Sequence, residues 1–205
     1  MKIAIIGTGN VGGALATQWA QAGHEVLLGV RDPNQFKGRD LLKNPNTSLH
    51  SIKEAVAAAE VVLLATPAAA AVEVAQSLGE TGEKIIIDSM NIVRGAGPEG
   101  FLNTSDAILA HTTTRNVVKC FNTTGFNNME NTQYDGQKID AFMCGDSQSS
   151  KDTVAQLAVD AGFGMCYDVG GNDKFQLMEQ FALFWINLAI FQGEGREIGF
   201  KLLKR

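Results

Sequence analysis

Near the N-terminus, Gly7-Thr8-Gly9-Asn10-Val11-Gly12 carries the spacing G-x-G-x-x-G. That spacing suits the cradling of a pyrophosphate. Gly7 allows a tight turn, Gly9 lets the backbone approach the phosphates, and Gly12 permits close helix–strand packing. Free N–H groups at the N-terminus of the following helix would then face the phosphates. With 22 glycines in 205 residues the pattern alone arises easily by chance. Its context decides: an apolar run, Lys2 to Ile6, stops at Gly7, a helical pattern follows, and a second apolar run comes after a short gap. A dinucleotide is therefore the expected ligand.

Which dinucleotide depends on Gly29-Val30-Arg31-Asp32. An acidic side chain at the end of the second strand accepts from a ribose 2′-hydroxyl, whereas an arginine there accommodates a 2′-phosphate. Asp32 lies about 20 residues beyond Gly12, so spacing does not exclude it. However, the strand is expected to end near Gly29, which puts Val30 and Arg31 first at the ribose. Asp32-Pro33 also reads as a helix N-cap followed by proline at the first helical position. The reading favours NADP(H), with Arg31 on the 2′-phosphate.

Ligands of such sheets lie beyond the carboxyl ends of the strands. Those ends are Thr66-Pro67, Ser89-Met90-Asn91 and Asn122-Thr123-Thr124-Gly125. Thr66 and Pro67 would wall the nicotinamide side. Asn91, Asn122 and Thr123 would fix a planar ring or carbonyl by hydrogen bonds. No catalytic acid or base stands at these ends, since His24, His50 and His111 fall in a turn, before a helix and within one. Passing hydride between two cofactors asks for positioning rather than a proton relay.

These residues need a frame of alternating strands and helices. Val11 to Ala22 has helical spacing and stops at Gly23, and Val26 to Leu28 is a buried strand. Ile52 to Ala59 leads into the strand Val61 to Ala65, and Ala69 to Leu78 into Lys84 to Asp88. After a long loop, Asn91 to Asn103, come a helix Ser105 to Thr113 and the strand Val117 to Phe121. The strands Ile139 to Cys144 and Met165 to Val169 flank a helix, Lys151 to Ala161, and a last helix runs from about Asp173 to Gly193. Apolar strands alternating with helices imply an α/β fold, a doubly wound, mostly parallel Rossmann sheet. Residues 1–170 would form the dinucleotide-binding domain and 171–205 a small C-terminal helical extension.

The chain has 17 basic and 22 acidic residues, a formal charge of −5, and no basic cluster, which argues against a nucleic-acid partner. Cys120, Cys144 and Cys166 are far apart and form no metal-ligand spacing with the scattered histidines. No signal peptide is expected, and the longest apolar stretch, Phe181 to Phe191, is too short to span a bilayer. A cytoplasmic protein is the expectation. That stretch is apolar on every face, although one sheet covers only one side of a helix. A homodimer through this helix is therefore expected, with Phe184 or Trp185 near a second cofactor.

The opening Met1 to Gly12, Gly23-His24-Glu25-Val26, Gly29-Val30-Arg31, Asn116 to Thr123, Cys144-Gly145-Asp146 and the tail Gly193 to Leu203 resemble the coenzyme F420-dependent NADP oxidoreductases. The resemblance implies a Rossmann domain with a small C-terminal extension, a homodimer, and hydride transfer between NADP(H) and a deazaflavin. Thr8, Gly9, Asn10 and Val11 would hold the phosphates, Arg31 the 2′-phosphate, and Thr66 and Pro67 the nicotinamide side. Coenzyme F420 is the implied acceptor, with FAD or FMN as the alternative. A non-catalytic NADP(H) sensor and a reductase of a small carbonyl or imine remain as other readings.

Overall fold

The computed structural model describes Met1–Arg205. The chain opens with β1 (Lys2–Ile6), α1 (Asn10–Gln21), β2 (Glu25–Val30) and β3 (Thr47–Ser51). Then come α2 (Ile52–Ala58), β4 (Val61–Leu64), α3 (Ala71–Ser77), β5 (Ile85–Asp88), α4 (Thr104–His111) and β6 (Val117–Cys120). A short α5 (Phe126–Glu130) precedes a small hairpin, β7 (Gln133–Tyr134) and β8 (Gln137–Lys138). The last elements are β9 (Ala141–Cys144), α6 (Gln148–Asp160), β10 (Cys166–Asp168) and α7 (Phe175–Ile186), which continues as a π-helical turn over Asn187–Phe191.

Eight strands form one sheet in the order β10-β9-β6-β5-β4-β1-β2-β3. Every pairing is parallel except β6 with β9. This is the expected doubly wound α/β fold. The central strands are buried on both faces and read as mostly apolar runs, with Lys119 the charged residue within β6. One face packs Leu15 and Trp19 of α1 and Val154 and Leu157 of α6 against Ile3, Ile5 and Val118. The other packs Val56 of α2, Ala71 of α3, Ile108 of α4 and Phe175 and Met178 of α7 against Ala4, Val62 and Ile86.

Three local readings are corrected. β2 runs through Val30, one residue past its expected end. Asp32-Pro33 opens no helix: Asp32 Oδ1 accepts from the Asn34 N–H at 2.8 Å and its carbonyl from the Gln35 N–H, so it caps a turn. His50 lies on the edge strand β3, for which no apolar pattern spoke. At the end of that strand Ser51 and Glu54 form a reciprocal capping box that starts α2.

Candidate active site

Two glycines of the turn pack as their spacing implies. Gly7 has φ +101°, and a Cβ there would strike the carbonyl of Ala65 on the neighbouring strand end. A Cβ on Gly12 would land on the Gly7 carbonyl, so Gly12 sets how closely α1 seats on β1. Gly9 is different, since nothing lies within 4 Å of where its Cβ would be. It is the N-cap of α1, which has no side-chain cap and no acidic residue in its first turn. The opening N–H groups of α1 are thus left for an anion, at the positive end of the helix dipole.

These residues floor a cleft of about 890 Å³ at the carboxyl ends of β1, β2 and β4. Its middle is Gly7 to Val11, and one end is Ala65, Thr66 and Pro67. The other end holds Gly29 to Asp32, with Glu73 of α3 across from Arg31, and the segment Gln35 to Lys37, whose Lys37 carbonyl meets Thr8, also lines the cleft. The titratable side chains of the lining are Arg31, Asp32, Lys37 and Glu73. Arg31 reaches across to Glu73, Nη1 to Oε1 3.4 Å, with side chains 82% and 72% exposed. The pair is therefore a weak one.

Lys37 was not found from the sequence. Its loop folds back because the Thr8 hydroxyl donates to the Lys37 carbonyl and Gly38 takes φ +82°. Neither contact leaves a periodic trace. Of the expected site residues, Gly7, Thr8, Gly9, Asn10, Val11, Val30, Arg31, Thr66 and Pro67 line the cleft, while Gly12, Asn91, Asn122 and Thr123 lie outside its lining.

Asn91 and Asn122 are joined to each other behind the Thr66 end. Asn91 Nδ2 donates to the Asn122 carbonyl at 2.7 Å, and Asn122 Nδ2 donates to Asn91 Oδ1 at 2.9 Å and to the Met178 carbonyl at 3.0 Å. Asn122 Oδ1 is buried and has no donor. The Thr66 hydroxyl points at Met90 Sδ, 3.3 Å away, so Met90 backs this end of the wall.

Beneath that segment lies a cluster that sequence reading also missed. Lys119, read only as part of an apolar strand, is fully buried. Its Nζ sits 2.9 Å from Asp88 Oδ2 and 2.9 Å from Glu179 Oε1, with all three side chains 0 to 3% exposed. Thr104 and Ser105 donate to Asp88 Oδ2, each at 2.6 Å. Burial alone would pull the Lys119 pKa down, but Asp88 and Glu179 outweigh it and hold the ammonium above its ordinary value. Lys119 is a fixed cation. Burial likewise pushes the Cys144 thiol up to about 12, so it is not a nucleophile at neutral pH.

The histidines are elsewhere. His24 bonds Asp160, His50 bonds Ser48, and His111 faces Gln76. At the C-terminus, Trp185 is covered by the chain's own tail, donating from Nε1 to the Ile198 carbonyl at 2.8 Å. Phe184 stacks on Phe200 of the same tail, with ring centroids 6.0 Å apart.

Residues 2–92, which hold the glycine turn, Arg31 and Thr66-Pro67, match the model of a family described as NADP oxidoreductase, coenzyme F420-dependent. A solved structure from Arthrobacter sp. FB24, provisionally described as an F420-dependent NADP-reductase, is 27% identical and covers 100% of both chains with a TM-score of 0.85. Residues 2–92 are thus similar to this family, and the whole chain is similar in fold to that structure. It is also 31% identical over 106 residues to a glycerol-3-phosphate dehydrogenase [NAD(P)+] of Thermoanaerobacter sp. (strain X514), a match covering 46% of this chain and 32% of that one. The metalloreductase STEAP3 of Rattus norvegicus is 25% identical over 162 residues, covering 79% of this chain and 32% of the relative. The chain thus spans about a third of the length of the curated relatives it matches. No helix is long and apolar enough to cross a membrane.

Proposed function

We propose that the protein is an oxidoreductase that passes hydride between NADP(H) and a flavin or deazaflavin acceptor, coenzyme F420 or FAD/FMN. One observation carries this reading. The uncapped N-terminus of α1 and the cations Arg31 and Lys37 line a single cleft, with the phosphate turn between the strand ends that carry Thr66 and Arg31. An adenosine carrying a 2′-phosphate fits that spacing of anion sites. Gly9 leaves room for a pyrophosphate.

The residues divide the work. The N–H groups around Thr8 to Val11 hold the pyrophosphate, Arg31 and Lys37 hold the 2′-phosphate, and Ala65 to Pro67 wall the nicotinamide. Bound NADPH supplies the hydride at its nicotinamide ring. Pro67 keeps the backbone there rigid, which favours alignment of the reacting ring. No titratable side chain of the lining lies at the Thr66 end. Reducing a carbonyl or imine asks for a proton at the reacting atom, whereas a flavin-type ring does not ask the protein for one. That difference favours the flavin-type acceptor.

The test follows absorbance of the reduced nicotinamide after coenzyme F420, FAD or FMN is added to protein and NADPH. Rapid oxidation with one of them is expected. Tight NADPH binding without oxidation by any acceptor would move the reading to a sensor.

A further inference from the structure

A fully buried lysine between two carboxylates is a costly way to hold a core together. A set of apolar side chains of the same volume would join the layers at least as well. What apolar side chains could not do is bond the loop that leaves β5. Lys119 Nζ donates to the Met90 carbonyl at 3.0 Å, and Glu179 Oε2 accepts from the Ile92 N–H at 2.8 Å. These two backbone groups flank Asn91 on either side. Asp88 fixes the start of the same segment, its Oδ1 accepting from the Met90 N–H at 3.0 Å. The segment Met90 to Ile92 is thus pinned at three successive points by one charged cluster, and it backs Thr66 and orients Asn91 against Asn122.

We propose that Lys119 and Glu179 are positioning residues: their ion pair sets the backbone of Met90 to Ile92, and through Met90 and the Asn91–Asn122 pair it sets the wall that receives the nicotinamide. The inference rests on the dinucleotide reading above. Neither side chain borders the cleft, so neither touches the reacting atoms. Glu179 belongs to α7, so the docking of the C-terminal helix and the shape of the nicotinamide end are set by the same contact.

Two probes separate the ends of the cleft. NADPH engages the whole of it, and adenosine 2′,5′-bisphosphate only the end with Arg31 and Lys37. Glu179→Leu removes the acceptor for the Ile92 N–H and is expected to weaken NADPH by about tenfold or more, the cost of an unsatisfied buried donor. It leaves the bisphosphate within about twofold of wild type, because the site for that probe is untouched. Glu179→Gln retains an acceptor for Ile92 and restores most of the NADPH affinity. Thr104→Val covers the case in which Glu179→Leu does not fold. It removes one hydroxyl from Lys119 and Asp88 without changing charge, and is expected to weaken NADPH alone, by about threefold.

Equal weakening of both probes, or no change in a folded variant, would overturn the positioning role. So would a wild-type protein that binds NADPH no more tightly than the bisphosphate, because the nicotinamide end would then have nothing to contribute. A wild-type protein that binds neither probe defeats the dinucleotide reading itself.

Discussion

At the scale of single residues, the proposed choice of cofactor rests on four charges that line the cleft. In that proposal Arg31 and Lys37 favour a 2′-phosphate, while Asp32 and Glu73 oppose it. Asp32 is held in its own turn, and Glu73 is engaged with Arg31. Removing Arg31 takes away a charge-assisted bond to phosphate. Arg31→Ala is therefore expected to weaken NADPH by about 10- to 100-fold and NADH by no more than about twofold, read by titration of nicotinamide fluorescence. The Arg31–Glu73 pair is exposed and hence weak, so Glu73→Gln should tighten NADPH only by about two- to fivefold, sharpening its preference over NADH. Equal effects on both nucleotides would mean that neither residue reads the 2′ position.

At the scale of elements, the turn between β1 and α1 separates a packing glycine from a ligand glycine. In Gly12→Ala the new methyl meets the Gly7 carbonyl, so α1 must lift, and the thermal midpoint should fall by roughly 5 °C or more. Gly9→Ala has free space and a backbone conformation that alanine adopts, so stability should hold. NADPH affinity should nevertheless fall by about tenfold or more, because the methyl occupies the approach of the pyrophosphate. Thermal melts and titrations of both variants check this contrast.

The same turn shows what can be read in a sequence. β1, β4, β5 and β6 are visible because burial on both faces demands mostly apolar runs, even where Asp88 and Lys119 sit within them. Strand β3, Thr-Ser-Leu-His-Ser, pairs on one side only and is half exposed, so its residues carry no such demand. The reversed direction of β9 leaves no mark in its composition. Arg31 was legible because it follows a strand end at a known distance from the glycines. Lys37 was not, because its place depends on a loop folding back, nor was the Lys119 cluster, whose partners come from β5 and α7.

At the scale of the molecule, α7 has two apolar faces and only one is covered. Phe175, Met178 and Ala182 are buried, whereas Leu177, Phe184, Ile190 and Phe191 of the helix and its π turn are 48 to 61% exposed. An apolar strip of this kind on one element marks an interaction surface. We propose a second copy of the chain as its partner. Light scattering should give a mass near twice 21.9 kDa. The double variant Ile190→Glu, Phe191→Glu should give a folded monomer, and a monomeric wild type at micromolar concentration would end the dimer proposal.

The central claim, that this cleft is built for a 2′-phosphorylated dinucleotide, is tested most directly by titrating the wild-type protein with NADPH and with NADH under the same conditions. Saturable binding of both is expected, with NADPH tighter by about tenfold or more, the worth of a charge-assisted contact to phosphate. NADH binding as tightly as NADPH, or more tightly, would contradict it and assign the ribose to Asp32 instead.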